Sequence, residues 1–203
     1  MLSEIMVASF LLVCLVCFLS VNLHNILKSR RHRGHAKAHA EVSRPAGVIL
    51  AMAGVGTLLY FATVLAYLVL VYSGALTWLD RVRFPLTPYV QVPGLVLTAV
   101  GYGIFIWSVL ARGKYAVSWA MPEDQRLVNW GPYAYVRHPS YLAYFLMFTG
   151  LFLLWPGIIT ILPLVAVPGY IRATSEEEKL LLKRFGADYA EYQRKTGWLL
   201  PKL

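Results

Sequence analysis

The sequence predicts an all-α integral membrane protein of about five transmembrane helices, the last two a short helical hairpin, followed by a cytoplasmic C-terminal helical segment. Three observations lead there. The 203 residues are 58% hydrophobic and only 14% charged, against roughly 45–50% and 25% in soluble domains. Charge is absent from four long runs, Ile5 to Leu27, Pro45 to Leu79, Phe84 to Ala111 and Pro139 to Ile171. The basic residues gather between these runs, as they do in membrane proteins with a cytoplasmic bias. About 20 apolar residues make one span, so the helices consume at least half the chain and leave no room for a separate soluble catalytic domain. Residues 1–203 therefore read as one membrane domain, with three N-terminal transmembrane helices over 1–111 and a second part over 112–203 made of a loop, a helical hairpin and a C-terminal segment.

The first run has the length of a span. It lacks the basic leader and small-residue cleavage site of a signal peptide, and its basic flank follows the apolar stretch, so it is expected to stay in the mature protein. Cys14 and Cys17 spell CxxC inside this apolar helix, without the fold context of a redox pair; packing is the expected role, with no disulfide. The connection from Lys28 to Arg44 carries six lysines and arginines. His32, His35 and His39 lie in it at a spacing that can share a helical face, but no cysteine or carboxylate joins them at ligand spacing, and no metal is expected. The net charge of +9 sits beside a span, where it suits anionic lipid headgroups better than nucleic acid.

The second run is too long for one perpendicular span, and its helix is expected to end near Ser73-Gly74. Gly47, Ala51, Gly54 and Gly56 offer small residues for close helix approach; Gly54-Val55-Gly56 lacks the preceding strand of a nucleotide-binding loop. The loop around Asp80 carries only Arg81 and Arg83. After the third run, the segment from Lys114 to Leu127 is polar and irregular, without an assignable role. The fourth run, 33 residues long, exceeds one span and falls short of two, with Trp155-Pro156-Gly157 punctuating its middle like a turn. It predicts a tight hairpin whose second helix continues beyond the membrane through Arg172. Counting lysine and arginine by loop puts the N-terminus outside and the connection from Arg112 to Arg137, together with the tail from Arg172, in the cytoplasm.

Two polar clusters flank that hairpin. Arg137, His138 and Tyr141 precede it; Arg172 and the triplet Glu176, Glu177 and Glu178 follow it. Each has a structural reading: Arg137 can snorkel to phosphates, His138 can cap a helix, and Pro139 suits a first helical position. Ionisable groups at a bilayer edge nevertheless point to function. Arg172 and Glu176, four apart, share a helical face, and Glu178 is expected to face Lys179 and solvent. If the hairpin closes, the two clusters meet, and cationic and anionic groups under an apolar roof suit a zwitterionic ligand.

Taken together, RHPxY at 137–141, the hydrophobic hairpin, R-x-x-x-E-E from Arg172, FG-x-x-Y from Phe185 and a proline near the end resemble the isoprenylcysteine carboxyl methyltransferase family and its relatives, the phospholipid methyltransferases. The resemblance covers roughly the last 90 residues. It implies S-adenosylmethionine as methyl donor and S-adenosylhomocysteine as product, held by the last two helices and the C-terminal segment. It further implies that Arg137, His138, Tyr141, Tyr133, Glu176 and Glu177 bind the cofactor. Arg172, orienting an acidic group, and Glu176 would be the catalytic pair. Pro132, Phe185, Gly186, Tyr189 and Tyr192 also match the pattern; Ala143 stands where relatives commonly have glycine. The implied acceptor is lipophilic, foremost the carboxylate of a prenylated cysteine. A phospholipid amine or small thiol is the alternative, and an NADPH-dependent membrane reductase or a non-catalytic scaffold are readings of other classes. A carboxylate is already ionised at neutral pH, whereas an amine must lose a proton before attack, a task for which a glutamate or His138 is eligible.

Overall fold

The computed structural model describes residues 2–33, 47–75, 84, 87–115 and 125–202. The His32 side chain, His35, His39, Asp80, Arg81, Arg83 and residues 116–124 lie outside that description. Among the described residues seven α-helices follow one another: α1 (Glu4–Arg33), α2 (Val48–Tyr72), α3 (Thr87–Arg112), α4 (Pro139–Leu154), α5 (Ile158–Ile161), α6 (Ala166–Phe185) and α7 (Ala187–Lys195). Among the described residues four helical stretches are long and apolar enough to cross a membrane: Glu4–Lys28, Val48–Tyr72, Tyr89–Arg112 and Ile158–Phe185. The last runs through α5, a 3₁₀ turn at Leu162–Val165 and α6. With 16 residues, α4 is only about 24 Å long at 1.5 Å per residue, which is why the uncharged run from Pro139 holds a hairpin and not two full spans.

The hairpin turns where the sequence places it. Trp155 ends α4 with φ of −138° and ψ of 72°, outside the helical region, and Pro156 cannot continue the helix. Thr160 Oγ1 then donates to the carbonyls of Trp155 at 2.9 Å and Gly157 at 2.8 Å, closing the turn. Polar groups at this end of the bundle satisfy one another. Tyr67 donates to Glu4 Oε2 at 2.5 Å. The Leu2 amide donates to Gln91 Oε1 at 2.9 Å, and Gln91 Nε2 donates to the Leu154 carbonyl at 3.3 Å. In an apolar medium such groups would be costly unpaired.

Small residues set the helix crossings. α3 and α4 pack antiparallel: a Cβ on Gly150 would lie 2.3 Å from Thr98 Oγ1, one on Gly101 2.8 Å from Met147 Cγ, and one on Gly94 2.7 Å from the Leu154 nitrogen. α2 and α6 meet the same way, a Cβ on Gly169 falling 2.4 Å from the Ala53 nitrogen and one on Gly56 2.4 Å from Ala166 Cβ. Of the four small residues singled out in the second run, only Gly56 is at this contact. Gly47 and Gly54 face open space and Ala51 is exposed; the second contact residue is Ala53, three positions before Gly56 on the same face. Around these crossings Phe18, Tyr60, Phe61, Tyr102, Phe105, Tyr144, Phe148 and Tyr170 form a continuous set of ring contacts. The outer faces stay apolar, with Leu58 70% and Leu65 56% exposed, as lipid contact requires. Cys14 is buried in the core and Cys17 faces outward.

Adding one methyl at a crossing should therefore cost more than adding it on the outside. Gly169→Ala is expected to destabilise the protein by about 1–3 kcal/mol through overpacking, read as a lower thermal midpoint in detergent. Gly54→Ala should leave the midpoint unchanged or slightly raised.

Candidate active site

At the opposite end of the bundle the chain builds a polar frame before it builds a cavity. Gly131, with φ of +62°, opens a 3₁₀ turn over Gly131–Ala134; a Cβ there would lie 2.9 Å from Ala111 Cβ, so a side chain is excluded on both counts. Trp130 Nε1 fastens this turn to the end of α3 by donating to the Ala111 carbonyl at 2.9 Å. The chain tail returns alongside: Val136 and Gly197 form a parallel bridge. The Arg137 and His138 amides donate to the carbonyls of Gly197 at 2.8 Å and Trp198 at 3.2 Å. Tyr192 donates to the Tyr133 carbonyl at 2.6 Å, tying α7 to the turn.

Charged side chains lock the frame. Arg137 donates through Nε to Glu178 Oε1 at 2.8 Å, and through Nη1 to the carbonyls of Thr196 at 2.5 Å and Gln193 at 3.2 Å. His138 Nε2 lies 3.0 Å from the same Glu178 oxygen; a carboxylate only accepts, so Nε2 carries the proton in this contact. Gln193 Nε2 donates to the second oxygen, Glu178 Oε2, at 3.0 Å. His138 occupies the position before α4, but its ring makes no capping bond. One residue earlier on α6, Glu177 accepts from Tyr141 at 2.5 Å, and its Oε2 lies 3.8 Å from His138 Nδ1.

This frame borders a cavity of about 330 Å³, at the lower end of the range for small-molecule sites. Its walls come from α1 (Asn22), α3 (Phe105, Arg112), the segment before the turn (Arg126, Val128), Tyr133, the start of α4 (Arg137, His138, Tyr141, Tyr144), α6 (Tyr170, Glu177, Leu181) and α7 (Tyr189, Tyr192). Tyr144 and Tyr170 stack with centroids 5.1 Å apart and form an aromatic roof. Beyond the spanning helices, burial pushes the phenols of Tyr189 and Tyr192 upward, with Glu178 reinforcing the shift at Tyr189 and Tyr133 at Tyr192. Both are neutral donors near pH 7. The Tyr189 hydroxyl is buried and has no hydrogen-bond partner.

Of the residues that the sequence nominates, Tyr133, Arg137, His138, Tyr141 and Glu177 line the cavity. Arg172 and Glu176 do not. They pair with each other at 2.8 Å, the Arg172 side chain is 54% exposed, and Lys179 joins Glu176 at 3.1 Å. Glu178, expected to face Lys179 and solvent, instead bonds Arg137, His138 and Gln193. The reason is helical phase. Gly169, Tyr170, Ala173, Thr174 and Leu181 form the buried stripe of α6, with Glu177 continuing it at helical spacing, while Arg172 and Glu176 fall about 100° away. Sequence reasoning passed over Arg112, Tyr144 and Tyr170. A signal existed for Tyr144, which is three residues from Tyr141 and thus on its face; Arg112 and Tyr170 lie in separate helices, and only tertiary packing brings them in.

Residues 89–188 match the family model for phospholipid methyltransferases. The protein-S-isoprenylcysteine O-methyltransferase of Tribolium castaneum is 32% identical over 119 residues, covering 53% of this chain and 40% of that protein. The enzyme of the same name from Saccharomyces cerevisiae is 39% identical over 81 residues, covering 39% of this chain and 34% of that protein. The chain thus matches less than half the length of these relatives. A solved eukaryotic intramembrane Ras methyltransferase, an isoprenylcysteine carboxyl methyltransferase, aligns at 23% identity with a TM-score of 0.48, over 74% of this chain and 51% of that one.

Loss of one partner in the frame leaves the other charge partly buried and uncompensated. Arg137→Met, which keeps much of the bulk, is expected to release the tail and raise hydrogen exchange at the Arg137 and His138 amides at least tenfold. Unchanged exchange at both amides would show that the backbone bridge alone holds the tail.

Proposed function

We propose, from the match of residues 89–188 to the family model for phospholipid methyltransferases, that this chain is an integral membrane methyltransferase that uses S-adenosylmethionine to methylate a lipophilic acceptor, foremost the carboxylate of a prenylated cysteine. The observation that carries the reading is the junction of Glu177, Tyr141 and His138 inside a cavity roofed by Tyr144 and Tyr170. The donor set fits such a cofactor. An anionic carboxylate and electron-rich aromatic faces suit a cationic sulfonium and ammonium, and the buried unpartnered hydroxyl of Tyr189 offers a donor to a polar ligand. Bound there, S-adenosylmethionine would supply an activated methyl group, and no metal is needed to activate it.

The remaining work falls to the protein's own groups. Glu177 is held in place by Tyr141, so its charge is fixed in direction before any ligand arrives. Arg137 and Glu178 hold the backbone of the cavity's floor through the tail, which serves the alignment on which displacement chemistry depends. Aromatic and aliphatic walls exclude water from the reacting carbon. An acid acceptor would attack as its carboxylate without a base; for an amine acceptor, Glu177 is the group on the cavity wall eligible to take the proton. We place the cavity on the cytoplasmic face and the N-terminus outside, following the excess of lysine and arginine in the connections on the cavity side.

S-adenosylhomocysteine is expected to raise the thermal midpoint of the detergent-solubilised protein, by about 2.7 kcal/mol of stabilisation at a hundredfold excess over Kd. Glu177→Gln and Tyr141→Phe should weaken its binding roughly tenfold or more, while Arg172→Ala, altered away from the cavity, should keep wild-type cofactor affinity. Calorimetry that finds NADPH bound and S-adenosylhomocysteine unbound would move the chain to the reductase reading. For orientation, in a variant lacking Cys14 and Cys17, a cysteine at Lys195 should label from the cytoplasm and one at Ser73 from outside. Both labelling from one side would break the five-crossing arrangement.

A further inference from the structure

We propose that the C-terminal tail is a docking surface for an anionic lipid leaflet, and that this contact steadies the frame of the cavity. The proposal stands on membrane geometry and goes beyond the methyltransferase reading without depending on it. After α7 the chain reads Thr196-Gly197-Trp198-Leu199-Leu200-Pro201-Lys202. A Cβ on Gly197 would lie 1.7 Å from the Leu200 carbonyl oxygen, so the segment doubles back on itself as a compact hook. The hook presents Trp198, 39% exposed, and Leu200, 72% exposed. Arg194, Lys195 and Lys202 flank them in the chain, all three exposed, and residues 193–203 contain no acid. Lys195 pairs with Glu191 of α7. Lys202 Nζ donates to the Arg194 carbonyl at 2.7 Å, a bond that fastens the hook and leaves the ammonium charge in place. An exposed indole and leucine among cations suit the headgroup layer, where aromatic rings rest at the boundary and lysine and arginine meet lipid phosphates.

The position of the hook in the fold agrees. The Gly197 and Trp198 carbonyls accept from the Arg137 and His138 amides, so the hook lies level with the start of α4. That helix has 16 residues, about 24 Å at 1.5 Å per residue, against a hydrocarbon core of about 30 Å. With Trp155 at the far boundary, the first turn of α4 stands inside the headgroup layer. The end of α3 gives the same level independently. Trp107 and Leu110 on α3, and Trp130 and Tyr135 around the turn before α4, are all exposed, and the rings of Trp107 and Tyr135 lie 6.5 Å apart between centroids. Exposed aromatic rings at one level of a bundle mark a membrane–water interface. Trp198 extends that belt from the tail, and the long side chains of Arg194, Lys195 and Lys202 have the reach to meet phosphates. Because the carbonyls of the hook hold residues 137 and 138, lipid that steadies the hook also steadies Arg137 and His138.

Hydrogen exchange on the whole chain in lipid nanodiscs tests this, comparing phosphatidylcholine alone with phosphatidylcholine and phosphatidylglycerol in equal parts. Exchange at the Arg137 and His138 amides is expected to be at least about fivefold slower in the anionic discs. Replacing the three cations together, Arg194→Gln, Lys195→Gln and Lys202→Gln, should abolish the difference, with thermal unfolding to check that the variant folds. Should it not fold, salt makes the same test on the wild-type chain: at 1 M, where the Debye length falls to about 3 Å, the difference should vanish. A nitroxide on Leu200→Cys, in a chain lacking Cys14 and Cys17, is expected to collide with oxygen more than with a water-soluble nickel chelate. A label that meets the nickel chelate more than oxygen overturns the proposal, as does equal exchange in the two discs or a difference that survives removal or screening of the cations. Inorganic phosphate that slows exchange in pure phosphatidylcholine as much as phosphatidylglycerol does would also overturn it, by assigning the cations to a soluble anion.

Discussion

The arrangement at the cavity end depends on one carboxylate shared among three elements. Glu178 on α6 accepts from Arg137 and His138 before α4 and from Gln193 on α7. Through Arg137 the same contact reaches the Thr196 and Gln193 carbonyls and holds the tail against 136–138. In a partly desolvated setting such a group is stable only when its charge and lone pairs are answered, and here they are. Because adjacent residues on a helix point about 100° apart, fixing Glu178 toward this frame also fixes where Glu177 must point, which is into the cavity. The orientation of the cavity-facing glutamate is thus inherited from a structural one.

That constraint would have no effect if α6 could rotate. Its phase is set in the membrane, where the Gly169 backbone lies against Ala53 and Ala166 against Gly56. Close packing of small residues is among the main sources of helix affinity in lipid, and it tolerates little rotation because a neighbouring side chain would collide. Tyr170, next to Gly169, bonds Thr57 and contacts Tyr141 and Tyr144. Packing at the crossing and the aromatic roof of the cavity are therefore consecutive residues of one helix, so the apolar and polar halves of the structure share a register.

The same argument explains which features were legible in the sequence. Apolar runs, the Trp155-Pro156-Gly157 turn and the meeting of two polar clusters follow from length, punctuation and hairpin geometry, all of which are local. Helical phase is not local. Arg172 and Glu176 do share a face, but nothing in their spacing says that this face turns away from the cavity; the contact of Gly169 with Ala53 decides it. Glu178 looked like the spare member of a triplet because its partners Arg137 and Gln193 lie 41 and 15 residues away. Arg112 carried no signal, since a lone cation at the end of a span ordinarily snorkels to headgroups. Only the packing of α3 on α4 turns it inward. In the second run the small residues were visible, but choosing Ala53 over Ala51 required knowing which face α6 occupies.

The two adjacent glutamates illustrate how the chain separates support from chemistry. A carboxylate offers about four acceptor sites. Glu178 spends three of them within the protein, on Arg137, His138 and Gln193. Glu177 receives one short bond from Tyr141, while His138 Nδ1 stands at 3.8 Å, beyond hydrogen-bond reach. Glu177 therefore keeps acceptor capacity inside the cavity, at a place where its charge is only partly screened by water. A group buried for structure alone tends toward full satisfaction, as Glu178 does. The incomplete satisfaction of Glu177, in a helix whose phase is fixed by tight packing and whose neighbour is locked, is what sets it apart from Glu178, which holds the fold.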